Sequence, residues 1–515
     1  MATLRINTTA HDWHRARRVL VAGLLVVAGA TAANADPPAS QLTGMIDIVD
    51  FGTSIRTSPG GFVQIVGGRP NVIRDRLVQM GQPALWALRV DVLAGAPESG
   101  AGLLLPLLSK PVDISAAHPL DIAATPFLEL RLIGELQGRR LRVALYADAS
   151  DEPAGAGVTL KTLAATDLSV TEWRSVVARV PVGTTAGSLC LLLEGSEPCW
   201  LAVAGVRFRA DDQPAEWTAP KSVDPHPLRQ AMWLWTTERV LGDQAATGKM
   251  LDFCERHGIT DLYCQVLYDY ADDAVKLRQV DAQRAFNTEA HAGKLRVHAL
   301  DGAPQYVLPE NHARMYQLVA ALDEFNRAGP AAARYDAIHL DNEPYILDAW
   351  KNPGIRRSVI NAFVALNQEL RRRANAANLE FGIDIPFWFD VAGKNGPEFV
   401  ADTPGGRVPL LEALFRSAQN VGVMSYRQRV TGPNGVLAVC ASEFELGTKH
   451  NVAVFASVEL GTGKNVEDGT SFGVFPPAYC NEQLATLRHL LAFQAGCGGL
   501  AIHHFDAYED MEARR

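Results

Sequence analysis

The sequence predicts an α/β protein in two parts. An all-β sandwich over residues 42–210 is followed by a (β/α)8 TIM barrel over residues 228–515. Three observations carry this. Residues 42–210 hold short apolar runs bounded by Gly, Pro and Asp clusters, and several alternate apolar with polar residues as half-buried strands do. From about Leu228 the pattern changes to strand–helix alternation. Eight such units then fill the remaining chain, a length that suits a (β/α)8 barrel.

The chain has 515 residues, 48% hydrophobic and 20% charged, an ordinary globular balance with length for two or three domains. Its first segment reads as a signal peptide, residues 1–35. Arg15, Arg17 and Arg18 precede an apolar run from Val19 to Ala30, and Ala33-Asn34-Ala35 offers a small-x-small cleavage site. The run is short for a membrane span, so a secreted or periplasmic protein with no integral span after cleavage is expected. Arg17-Arg18 hints at twin-arginine export. Formal charge is −9 overall; residues 1–35 carry four Arg and one Asp, which leaves −12 on the rest. An acidic chain has no electrostatic case for nucleic acid.

Within the sandwich, strands are expected at Phe127–Ile133, Leu141–Tyr146, Trp173–Val180, Cys190–Leu193 and Trp200–Phe208. Cys190 and Cys199 flank the turn signal Glu194-Gly195-Ser196 and would be able to bridge two strands in an oxidising compartment. The other five cysteines sit in apolar contexts and read as buried thiols. No Cys-x-x-Cys occurs, so no structural zinc is expected. Asp211–Pro227, rich in Asp and Pro, reads as a linker (211–227).

The barrel strands are expected at Met232–Trp235, Asp261–Leu267, Leu295–Leu300, Ala337–Leu340, Phe381–Ile385, Val421–Tyr426, Val452–Ser457 and Gly499–His503. Amphipathic stretches such as Ala245–His257, Asn311–Ala328, Arg356–Ala376 and Asn481–Ala495 separate most of them. A doubly wound sheet is the rival, but no Gly-rich turn follows Trp235. The eighth helix is expected to be short or missing.

Two strand ends stand out. The fourth strand runs into Asp341-Asn342-Glu343-Pro344, and the seventh into Val458-Glu459-Leu460-Gly461. An unpaired carboxylate is costly to desolvate, so acids in these places point to a cleft at the C-terminal ends of the strands. Strand period puts His339, Asp341 and Glu343 on one face, Phe455, Ser457 and Glu459 on another, and Met424 with Tyr426 on a third. On the eighth strand either His503 with Phe505 or His504 with Asp506 share a face. Two carboxylates on separate strands suit acid/base or nucleophilic work on a glycosidic bond. Trp233, Trp235, Tyr268, Trp388 and Phe389 lie near strand ends, where aromatic rings stack on sugar faces. Trp235, Trp388, His298 and His503 complete the expected substrate-binding set. A histidine metal site would want His-x-His on an early strand; the first strand has Trp233-Leu234-Trp235 instead, so neither metal nor cofactor is expected.

With these residues in place, the barrel resembles the clan A glycoside hydrolases, a (β/α)8 group with Asn-Glu ending strand four and Glu ending strand seven. The resemblance implies Glu343 as general acid/base, Glu459 as nucleophile, Asn342 binding a sugar hydroxyl and Tyr426 hydrogen-bonding the nucleophile. His503-His504-Phe505 departs from the tryptophan floor common there. Asp336-Ala337-Ile338-His339-Leu340-Asp341-Asn342-Glu343 is also similar to the chitinase-type Asp-x-x-Asp-x-Asp-x-Glu pattern, and Met424-Ser425-Tyr426 to its Met-x-Tyr. His339 and Arg427 depart from that pattern. It implies Glu343 as the one catalytic acid, with Asp341 orienting a substrate acetamido group. The end of the β domain resembles the jelly-roll modules attached to secreted carbohydrate enzymes. The expectation is an exported glycoside hydrolase with a carbohydrate substrate; a non-catalytic glycan-binding barrel is the rival of another class. Oligomeric state is not legible.

Overall fold

The structure, a computed structural model, describes residues 45–50, 56–57, 61–62, 64–66, 73–82, 84–98, 100–107, 120–147, 157–213, 225–271, 273–393, 396–432, 434–463 and 466–514. The expected signal peptide and residues 214–224 of the expected linker lie outside the described residues.

The first part is two antiparallel sheets. One orders Arg174–Arg179, Phe127–Glu135, Cys199–Arg209, Leu85–Val92 and Ile73–Met80, with Met45–Asp50 also paired to Cys199–Arg209. The other orders Val158–Leu163, Arg140–Tyr146, Ser188–Glu194, Ala101–Pro106 and Gln64–Val66. Leu88, Val90, Leu128 and Leu130 from the first meet Leu103, Leu105, Leu189 and Leu191 from the second in a shared core, as two half-buried sheets require. The expected Cys190–Cys199 bridge is not made: both are buried thiols. Cys190 sits within one sheet and Cys199 opens a strand of the other. The turn between them carries the chain across the sandwich rather than closing a hairpin, and the sequence does not reveal that.

The second part is a closed barrel of eight parallel strands. They are β1 (Arg229–Leu234), β2 (Asp261–Gln265), β3 (Arg296–Asp301), β4 (Ala337–Leu340), β5 (Glu380–Pro386), β6 (Asn420–Met424), β7 (Ala453–Glu459) and β8 (Cys497–His503). β1 pairs with β8 to close the ring. All four residues of β4 are buried, because helices cover one face and barrel packing the other. The connecting helices follow their sequence signals. In Gln244–His257, Asp243 accepts from the amides of Ala245 and Ala246, Gly258 ends the helix at φ 65°, and Met250, Phe253 and Cys254 face inward. The eighth helix is present and short, Phe505–Ala513.

Inward residues stack in layers. The floor is ionic. Asp261 pairs with Arg229; Arg296 Nη2 lies 2.6 Å from Glu380 Oε2, and Asn420 Nδ2 donates to Glu380 Oε1 at 2.6 Å. Burial works against the Glu380 charge, but Arg296 and Arg229 outweigh it and bring the carboxyl down to about 2. Above lie Trp233, Tyr263, His298, His339 and Asp384. The Tyr263 and His339 rings stack at 4.0 Å, and Trp233 Nε1 donates to Asp384 Oδ2 at 3.2 Å. Gly422 makes room: a Cβ there would lie 2.1 Å from Asp384 Oδ1.

The two parts meet along Ile73–Met80 and the helix Pro477–Leu491. Thr431 Oγ1 donates to Asp75 Oδ2 at 2.6 Å, Gln483 Nε2 to Asp75 O at 2.6 Å, and Leu77 N to Thr486 Oγ1 at 3.2 Å.

Candidate active site

The acids singled out in the sequence lie at the C-terminal end of the barrel. Glu343 follows β4 and is 3% exposed; Glu459 ends β7 and is 5% exposed. β4 ends against β3, where Asp341 N donates to Asp301 O at 2.9 Å. Ala303 N donates to Asn342 Oδ1 at 3.2 Å. The Asn342 side-chain nitrogen has no hydrogen-bond partner among the described residues, although the residue is 3% exposed. A buried amide donor of this kind is costly unless something accepts from it. Gly302 lets the two strands approach: a Cβ on it would lie 2.1 Å from Asp341 O.

Glu459 is held from two sides. Oε2 is 2.8 Å from His503 Nδ1, and Oε1 accepts from Gly461 N at 2.6 Å. Burial pushes this carboxyl up. The hydrogen bonds from His503 and the Gly461 amide, with the His503 and His504 rings beside it, outweigh it and hold the carboxyl below its ordinary value. His503 is in turn met by Trp235, whose Nε1 lies 3.1 Å from His503 Nε2. Tyr426, after β6, places its ring 5.7 Å from that of His503. Of the two options for the eighth strand, His503 is therefore the residue that faces Glu459. Phe505 packs against Phe253, while Asp506 takes hydrogen bonds from Thr236 and Arg239.

Trp388 is half-buried and packs edge-on to Tyr345 at 5.1 Å, on the chain that follows β4. Phe389 is buried behind it, in contact with Trp350. Arg296 and Arg427 have partners of their own. Arg296 lies in the floor with Glu380, and Arg427 donates to Asn434 Oδ1 and Tyr426 O.

His298 is a correction. It was expected among the substrate-binding residues, but it is 0% exposed and buried in the barrel. Its Nε2 lies 2.9 Å from Asp261 Oδ1, in the floor. Burial keeps the imidazole neutral despite Asp261, so Nε2–H donates to that carboxylate. Strand period gave its inward direction correctly. Depth depends on the stagger of neighbouring strands, and β3 pairs His298 with Tyr263 on one side and Ala337 on the other, well below the mouth.

Sequence reasoning missed Asp301, which ends β3 with the same signal that marked β4. Tyr268 donates to Asp301 Oδ2 at 2.5 Å, Gly302 N donates to Oδ1, and Arg314 donates to the Tyr268 hydroxyl at 3.0 Å. Burial raises this carboxyl above its ordinary range. It missed Asp384 as well, whose Oδ1 lies 2.9 Å from His339 Nε2 without the alignment of a hydrogen bond. Among the described residues no cluster of three or more His, Cys, Asp or Glu is placed to hold a metal ion.

No family model matches the chain, and no curated protein is similar to it. Solved structures are. The chain is similar to the CBM22-1–GH10 modules of Clostridium thermocellum endo-1,4-β-D-xylanase 10B, with 9% identity, 90% of each chain covered and a TM-score of 0.35. It is similar to a chitinase of Chromobacterium violaceum, with 13% identity, 56% of this chain and 98% of that one covered, and a TM-score of 0.33. It is also similar to the PgaB glycoside hydrolase domain of Bordetella bronchiseptica, with 11% identity, 56% and 98% covered, and a TM-score of 0.37. At such identities and TM-scores, any case for function rests on the site's own residues.

Proposed function

We propose that this chain is an exported glycoside hydrolase that cleaves a poly- or oligosaccharide with retention of configuration. The observation that carries the reading is a pair of buried glutamates ending β4 and β7 of one barrel, of which Glu459 is held ionised by His503 and Gly461. Protonated Glu343 donates its proton to the glycosidic oxygen while the Glu459 carboxylate attacks the anomeric carbon. The carbon–oxygen bond breaks and the leaving sugar departs as an alcohol. Glu343, now a carboxylate, takes a proton from water. The hydroxide attacks the same carbon and frees Glu459. Asn342 supports this reading, since its side-chain amide has a donor to offer a sugar hydroxyl. The half-buried Trp235 and Trp388 are surfaces for sugar rings. The β-sandwich, read as a jelly-roll module, would hold glycan near the mouth or simply brace the barrel.

A substrate-assisted, chitinase-like reading has one observation of its own: Asp341 stands two residues before Glu343 on the strand that also carries buried His339. It would use Glu343 alone. Both readings are tested by a polysaccharide panel with the product anomer followed by NMR. Glu343→Gln keeps the shape but cannot donate the proton, and should lower turnover by about 10²–10⁴-fold with an unchanged melting curve. Near-normal activity in that variant would sink both.

A further inference from the structure

We infer that Trp235 is a positioning residue that fixes His503 as a neutral imidazole with its proton on Nδ1. Glu459 then gains a hydrogen bond without surrendering its net charge. The tautomer follows from geometry; its catalytic meaning rests on Glu459 being the nucleophile.

An indole N–H can only donate. Trp235 Nε1 lies 3.1 Å from His503 Nε2, so Nε2 must accept and carries no proton. The one proton of the neutral ring is then on Nδ1, 2.8 Å from Glu459 Oε2. An imidazolium in the same place would turn an N–H against an N–H. The groups around the ring allow this state. From β1 it meets two indoles, Trp235 and Trp233, the latter at 5.7 Å. From β6 it meets the phenol of Tyr426 at 5.7 Å, and along its own strand the ring of His504 at 4.9 Å. β7 supplies Glu459. Asp506, beyond His504, takes hydrogen bonds from Thr236 and Arg239.

The consequence is one of charge. A carboxylate with a neutral imidazole carries −1, whereas the same carboxylate with an imidazolium carries none. A nucleophile that must face a developing oxocarbenium ion works better as the former. Two ordinary hydrogen bonds, from His503 and Gly461, orient the carboxylate while its charge stays available.

The test uses the full-length chain. Trp235→Phe keeps an aromatic ring and removes the N–H. Histidine side-chain ¹H–¹⁵N spectra, with His503 assigned by its loss in His503→Gln, should show the parent at neutral pH with Nδ1 protonated and Nε2 bare. In Trp235→Phe that signature should be lost, because Nε2 then has no N–H directed at it and is free to take a proton. On a glycan that the enzyme cleaves, the acid limb of the kcat/KM profile should move to higher pH. A parent spectrum with His503 doubly protonated, or with its proton on Nε2, overturns the inference, and this holds even if Trp235→Phe fails to fold. Acid limbs that coincide in parent and variant overturn the positioning role. If no glycan is turned over, the proposed activity fails while the spectrum still decides the tautomer.

Discussion

Glu459 and Glu343 end strands of the same barrel, and Glu459 comes with a partner set that explains its state: His503 on one oxygen, Gly461 on the other. This makes a sharp expectation at the scale of one side chain. If Glu459 is the nucleophile, Glu459→Ala removes the attacking group and leaves space beside the anomeric carbon. Turnover should fall by at least about 10³-fold, and azide should restore part of it with inverted product, because only one displacement then occurs. Under substrate assistance the same variant would keep most of its activity, azide would do nothing, and Asp341→Ala would be the severe change. The carboxylates were legible in the sequence because an acid directly after an apolar strand has few other reasons to be there. Their partners were not. The His503 contact joins β8 to β7 and the Trp235 contact joins β1 to β8, and no local pattern shows which residues the closing of the ring brings together.

Among the elements, all eight barrel strands were legible, since each is a short apolar run between helical stretches, and the structure moves their ends by only a few residues. What the runs do not encode is height along the barrel axis. His298 shows this: the right face, the wrong layer. Close strand approaches also escape a pattern reading, although glycines mark them. Gly302 lies where a methyl group would strike Asp341 O at 2.1 Å. Gly302→Ala should therefore cost about 1–3 kcal/mol in a melting experiment and lower turnover as well, because the displaced segment carries Glu343. A variant with parent melting and parent activity would show that the strand end is slack. The floor gives an expectation in pH. The Glu380 carboxyl is held near 2 against an ordinary value of 4.5. Its contribution to stability is then complete above about 4.5 and is lost as pH falls through about 2. Melting temperature should drop steeply over that window, and Glu380→Gln should make the drop shallower.

Over the whole molecule, the sandwich and the barrel were legible as two parts, but the polar seam between them was not. Asp75, 4% exposed, takes a hydrogen bond from Thr431, more than three hundred residues away in the chain. Such a seam couples the two parts. Calorimetry of the full chain should show one transition, and Asp75→Ala should lower it by about 2 kcal/mol; two separate transitions in the parent would show that the parts melt on their own. The ionic floor carries a further consequence, for traffic. Arg229, Asp261, Arg296 and Glu380 fill the end of the barrel opposite Glu343 and Glu459, so nothing threads through the ring. On the proposed reading, any glycan chain that reaches the glutamates arrives by the mouth, and both fragments would leave by it. Repeated cuts along a single polymer would then require it to slide sideways over the loops. The rate of that sliding would be set by how tightly the rim grips, not by the width of any tunnel through the fold.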